Sequence, residues 1–213
     1  MINYRLIYTT FLLLILTFCG VNAQVQKSLK LYAIVGAQVN KFSSQFNTNL
    51  PSQLNSFSLG AGSSYYFNRL NIGTEFHFSN ATNSNSNFKI DYSGMNSSLF
   101  IGYNILSNNK ISIEPTVGFS FLNNKSFVSN KNSFQNQFYS NNQLGLTPSI
   151  SISKINSSGI FYGLKAGYNF AFNANSFWED ENIGANSVLK DNMGSFFIQF
   201  TTGSFLNLSK KKE

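Results

Sequence analysis

An eight-stranded, antiparallel, up-and-down transmembrane β-barrel is the fold that this sequence predicts. Three observations carry the prediction. Apolar and polar residues alternate with a period of two through eight segments, and such alternation makes an extended chain with two unlike faces. The connections between these segments run long, short, long, short. Only 11% of the 213 residues are charged while 16% are aromatic, and the mean hydropathy is −0.10. A soluble domain is about twice as charged, and a helical membrane protein is far more apolar. A barrel in lipid averages its two faces to near zero.

The clearest stretch is Phe57–Phe78. Phe57, Leu59, Ala61, Tyr65 and Phe67 share one parity, and Ser58, Gly60, Gly62 and Ser64 the other. After Asn68-Arg69, Leu70, Ile72, Phe76 and Phe78 alternate with Asn71, Gly73, Glu75 and His77. Two residues between such runs require a tight hairpin. The polar face is Gly, Ser and Asn rather than Lys and Glu, which suits a strand between lipid and a packed lumen. Leu70, Ile72, Phe76 and Phe78 are therefore expected to face lipid.

The other elements follow in order. Met1–Ala23 carries Arg5, an apolar run Phe11–Phe18 and the small-residue ending Val21-Asn22-Ala23, the layout of a signal peptide cut before Gln24. Residues 24–213 then form one barrel domain. Cys19 is the single cysteine, so cleavage there would leave a chain without disulfides, thiolate chemistry or Cys-ligated metal.

The first strand is expected at Leu31–Asn40. Lys41–Ser56 reads as a polar loop, Phe57–Phe67 and Leu70–Phe78 as strands two and three, and Ser79–Lys89 as a second loop. Strand four spans Tyr92–Ile105, a short turn follows, and strand five spans Lys110–Leu122. Asn123–Asn142 reads as a third long loop, Gln143–Ile155 as strand six and Asn156–Gly159 as a turn. Strand seven is Ile160–Phe172, Asn173–Asn192 the fourth loop, and Met193–Leu206 strand eight. Pro115 and Pro148 fall inside strands five and six, where a missing N–H has no free edge to hide at. A bulge at each would accommodate them.

Leader, alternation, loop rhythm and the Gly/aromatic texture together resemble the Bacteroidetes-type small outer-membrane β-barrel proteins, the porin-like outer membrane protein beta-barrel domain family. The resemblance covers nearly everything after Gln24 and implies location in the outer membrane more than it implies an activity. A lipocalin-like soluble barrel is the rival. Its outer face would need frequent charges, which the polar parity here does not supply.

Four ionisable residues stand on the polar parity: Glu75, His77, Glu114 and Lys165. Glu75, Glu114 and Lys165 rise four or five residues above the short-turn rim of strands three, five and seven. Eight strands leave an interior just wide enough for side chains to fill, so these charges should meet as a bonded pair or triad. They can serve as lumen packing or as a gate that opens when the pairing changes. His77 near Ser79 is a weak hint of hydrolytic chemistry, because serines are abundant everywhere in this chain. One histidine and scattered oxygens do not make a transition-metal site, and no cofactor is expected. Glu179-Asp180-Glu181 reads as a solvated loop, or as a weak Ca²⁺ or lipopolysaccharide bridge.

The net charge of +7 includes the terminal Lys210-Lys211-Lys212, a solvated tail. No strand carries a basic stripe with interleaved aromatics, so nucleic acid is set aside. The expected partners are outer-membrane lipid and an extracellular or envelope protein that meets four long outer loops; the barrel itself is expected to be a monomer. Two functions remain: a structural or interaction protein for adhesion or accessory tasks, and a narrow or gated porin-like channel. An enzyme is a distant third.

Overall fold

The computed structural model describes residues 27–41, 53–84, 86–106, 110–132, 136–172, 177–180, 189–190 and 194–208. The expected leader, residues 42–52 of the first loop, Glu181 and Lys210–Lys212 lie outside these described residues. The wall consists of β1 (Lys27–Lys41), β2 (Gln53–Phe67), β3 (Leu70–Ser84), β4 (Phe88–Tyr103), β5 (Ile111–Asn130), β6 (Asn136–Ile155), β7 (Ile160–Ala171) and β10 (Gly194–Asn207). Two short strands, β8 (Phe177–Asp180) and β9 (Leu189–Lys190), precede β10. Every neighbour is antiparallel, β5 pairs with β6, and β1 pairs with both β2 and β10, so the sheet closes on itself. Closure leaves the eight wall strands without a free edge strand, which is what lets a sheet cross hydrocarbon.

The two faces are those of a lipid-embedded sheet. Outward residues are apolar and exposed, among them Leu59 at 53%, Leu99 at 57% and Leu164 at 60%. Inward residues are mostly buried Ser, Asn, Gln and Thr with four charges, joined toward the short-turn end by Tyr32, Ile34, Tyr66 and Phe161. Glycine makes room for the larger inward groups. A Cβ on Gly62 would stand 2.4 Å from the Tyr32 ring, and one on Gly73 would stand 2.6 Å from the ring of Phe100.

The short turns lie at one end. Asn68 takes a left-handed φ of 58° in the β2–β3 turn, a conformation that Asn tolerates better than most residues. In the β6–β7 turn Gly159 has φ of 81°. There the Asn156 side-chain oxygen accepts from the Ser158 and Ile160 amides at 3.1 and 2.9 Å.

At the other end the structure corrects the expected loops. Within Asn173–Asn192 it places β8, whose Glu179 and Asp180 pair with Ser140 and Tyr139 of β6, and β9. It changes two others more fully. Ser79–Lys89 and Asn123–Asn142 are mostly strand: β3 runs to Ser84, β4 starts at Phe88, and β5 and β6 are each 20 residues long. At about 3.4 Å per residue such a strand measures roughly 65 Å. Tilted by about 45°, it rises roughly 45 Å against an apolar band of about 25 Å. The β3–β4 and β5–β6 hairpins therefore project well beyond the lipid. Phe127 and Phe138 face each other across the second hairpin with ring centroids 4.6 Å apart.

In this projecting part the faces exchange polarity. Leu54, Ile90, Tyr92, Val128 and Tyr139 turn inward as a buried apolar cluster. Outward stand Thr82 and the Lys89–Asp91 ion pair, 2.7 Å apart, and the hydrogen-bonded pair Asn123–Asn142 at 2.6 Å. The Lys89 ammonium and the Thr82 hydroxyl hold the exposed Asp91 carboxyl below the usual carboxylate range.

Neither proline sits in a bulge. The β5–β6 register passes both Pro115 and Pro148 without a shift, from Ile111↔Lys154 to Ser129↔Asn136. Pro115 stands one place beyond the last β4–β5 pair, Gly102↔Thr116. Pro148 falls in a two-residue gap of the β6–β7 ladder, between Leu146↔Phe170 and Ser149↔Gly167, with the register unchanged on either side. Each missing N–H is thus absorbed by unpaired positions, and no residue is inserted.

Candidate functional site in the barrel lumen

Because inward parity is kept along β1, β3, β5 and β7, their charged residues converge in the lumen. Glu75 on β3 meets Lys165 on β7 across the barrel, with Nζ 2.5 Å from Oε1. The Tyr32 hydroxyl donates to the same oxygen at 2.6 Å. His77 Nε2 lies 3.3 Å from Glu75 Oε2, and the Gln199 amide nitrogen lies 3.2 Å from His77 Nδ1. If the Gln199 amide donates to Nδ1, the imidazole hydrogen is on Nε2 and donates to Glu75. One carboxylate thus collects an ammonium, a phenol and an imidazole.

Glu114 does not join this group. Its partner is Lys30 of β1 at 3.1 Å, supported by the Ser112 hydroxyl at 2.5 Å. The Lys30 ammonium also sits among aromatic rings, 4.5 Å from the centroid of Phe161 and 5.4 Å from those of Tyr32 and Phe205. Rings at such distances attract a desolvated cation through their quadrupoles. Between the two ion pairs lies a cavity of about 20 Å³ bordered by Lys30, Tyr32, Glu75, Glu114, Thr116 and Lys165. That is room for about one water, on a polar lining able to bind it.

Burying four charges is costly unless each is paired and hydrogen-bonded, and here each is. Further out the lumen is crossed by Asn96 to Asn169 at 3.4 Å, and Asn169 also bonds Thr147 and Ser195, both at 2.7 Å.

The four expected lumen residues all point inward: Glu75 and Lys165 form a pair that His77 joins, and Glu114 belongs to a second network. Lys30, Tyr32 and Gln199 are the members that the sequence reading lacks. Lys30 was legible in principle, since it shares the parity of Tyr32, Ile34 and Gln38; beginning the strand at Leu31 hid it. Ser79 bonds the Gly94 carbonyl at 3.4 Å, and both His77 nitrogens face Glu75 and Gln199 rather than a serine. Leu70, Ile72, Phe76 and Phe78 stand on the outer surface, exposed by 43, 52, 36 and 52%.

Solved structures of the same architecture exist. Ail, the attachment invasion locus protein of Yersinia pestis, superposes with a TM-score of 0.53 at 12% identity, covering 86% of this chain and all of that one. The fold is that of the small outer-membrane β-barrels. A major outer membrane protein of Thermus thermophilus matches with a TM-score of 0.53 at 12% identity, over 83% of this chain and 99% of that one. Neisserial surface protein A matches with a TM-score of 0.50 at 14% identity, over 82% of this chain and 95% of that one. No family model matches the sequence, and no curated protein does. At these identities the likeness concerns the fold. Closed ladders, an apolar outer belt and short turns gathered at one end make this an outer-membrane barrel.

Proposed function

We propose that this barrel is a closed anchor that presents the β3–β4 and β5–β6 hairpins to an extracellular or envelope partner, in adhesion or an accessory role. The observation that carries the reading is the lumen. Paired charges and a side-chain amide hydrogen bond span it, and the cavity between the ion pairs is of water size. The same strands that fill the lumen continue into a sheet with its own apolar core, a costly construction for a simple wall. Ail, a protein named for attachment and invasion, has the same fold, which adds plausibility and no specificity. The porin-like Bacteroidetes-type family suggested by the sequence belongs to this proposal as its finer form.

A narrow or gated channel is the second reading, favoured by the polar cavity between the two ion pairs. Conductance decides between them. Folded wild-type protein in a planar bilayer should show no discrete steps above the bare membrane; stable steps at moderate voltage would favour the channel. The hairpin claim is tested separately by joining Ser126 to Tyr139 through an Asn-Gly turn, which removes the projecting tip and keeps the lipid-facing wall. Cells displaying this variant should lose autoaggregation and adherence to epithelial monolayers relative to cells displaying the full chain. Equal adherence at equal surface abundance would remove the hairpin from the proposal.

A further inference from the structure

The short-turn rim has a one-sided charge that neither function uses. Lys27 at the start of β1, Arg69 in the β2–β3 turn, Lys110 before β5 and Lys154 near the end of β6 are all exposed there. Among the described residues no acid shares that rim: Glu75 and Glu114 lie in the lumen, and Asp91, Glu179 and Asp180 are at the opposite end.

The cations also stand at a particular height. Lys27 pairs in register with Phe67, and Lys154 with Tyr162. Arg69 lies between Phe67 and Leu70, and Leu70 pairs with Tyr103. Phe67 and Tyr162 are exposed on the outer surface, as is Tyr65. Aromatic rings at the end of a lipid-facing belt mark the level of the headgroups, and Lys and Arg beside them can lie along apolar surface with the charge held at that level.

We propose that this rim is a docking ring for anionic phospholipid headgroups of the inner leaflet. A cation close to an anionic membrane surface improves partition roughly fivefold, and four on one rim act together on the surrounding lipid. The lateral placement beside the aromatic belt favours a lipid phosphate over the peptidoglycan mesh below, which would be met by groups pointing along the barrel axis.

The test uses the full chain folded in detergent and offered equal amounts of phosphatidylglycerol and phosphatidylcholine, with bound lipid counted by native mass spectrometry. Wild type should retain phosphatidylglycerol over phosphatidylcholine by at least about tenfold. The variant Lys27→Gln/Arg69→Gln/Lys110→Gln/Lys154→Gln should lower the wild-type preference at least about fivefold. Lys41→Gln/Lys125→Gln, at the other end of the barrel, should keep the wild-type preference. Lys210–Lys212 are present in every variant, so their contribution cancels in the ratio of variant to wild type. Heat-shifted gel mobility verifies folding. Should the fourfold variant not fold, Lys27→Gln/Arg69→Gln and Lys110→Gln/Lys154→Gln are each expected to lower the preference at least about threefold. A folded rim variant with the wild-type preference overturns the proposal, as does an equal loss in the variant at the other end. Loss of co-sedimentation with peptidoglycan sacculi while the lipid preference stays intact overturns it in favour of the cell wall.

Discussion

Replacing Lys165 by Met removes the ammonium from Glu75 while keeping most of the side-chain volume. Loss of one partner from a buried ion pair costs about 3–5 kcal/mol, because the other charge stays behind uncompensated. Glu75 keeps the Tyr32 hydroxyl as a donor at 2.6 Å and the His77 ring 3.3 Å away, so the lower end, about 3 kcal/mol, is expected. Lys30→Met leaves Glu114 with the Ser112 and Tyr66 hydroxyls and empties the aromatic surround of its cation. It should cost a similar amount, about 3 kcal/mol. Lys165→Met/Glu75→Gln and Lys30→Met/Glu114→Gln should each regain most of the loss. The assay is urea unfolding in detergent or lipid vesicles, analysed as double-mutant cycles for all four Lys–Glu combinations. Coupling of about 2 kcal/mol or more is expected within Lys165–Glu75 and within Lys30–Glu114, and much less across the two. Coupling near zero in both cycles would refute the reasoning, and the lumen would then have to be read as a wet pore with separately solvated charges. Stronger coupling of Lys165 to Glu114 would refute the assignment of partners.

Three smaller perturbations probe other parts of the molecule. Phe76→Arg should destabilise the barrel by about 2–4 kcal/mol if this side chain lies near the bilayer midplane, and a loss under about 0.5 kcal/mol would place it outside the lipid. Gly62→Val should displace the Tyr32 ring, which lies 2.4 Å from an added Cβ, and cost about 1–3 kcal/mol in the same unfolding assay; an unchanged midpoint would mean that the ring is free to move. Asp91→Asn concerns a carboxyl held below its usual range, whose contribution is present above the unfolded carboxyl pKa and lost as pH falls through the lower folded value. The exposed pair is worth at most about 0.5 kcal/mol at neutral pH, so wild type and variant should converge below that value, and a gap that widens in acid would contradict the sign.

Within the lipid the sequence was almost fully legible, because one solvent on each side of the wall enforces one alternation. Leu70 to Phe78 and Ile160 to Ala171 could be read residue by residue. The projecting strands were not. Past Phe78, Phe121 and Leu144 the outward residues become Asn80, Asn123 and Asn142, while Tyr92, Val128 and Tyr139 turn inward. The apolar residues therefore change parity there, amid many Asn and Ser, and a reversed pattern looks like no pattern at all. In the lumen the acids and Lys165 were visible, but partner choice was not. It depends on strand stagger around the barrel, which period-two alternation does not encode, and it decided that Glu114 would meet Lys30.

That reversal makes each of β3 to β6 a single strand written for two solvents. A slip of one residue in pairing exchanges the two faces along the whole strand. In the lower segment it would turn Ser and Glu toward hydrocarbon; in the upper segment it would turn Tyr92, Val128 and Tyr139 toward water. Neither error relieves the other, so the two costs add along one continuous hairpin. A flat polar hairpin outside the membrane would leave register to its turn alone, whereas here the length above the lipid proofreads the length within it.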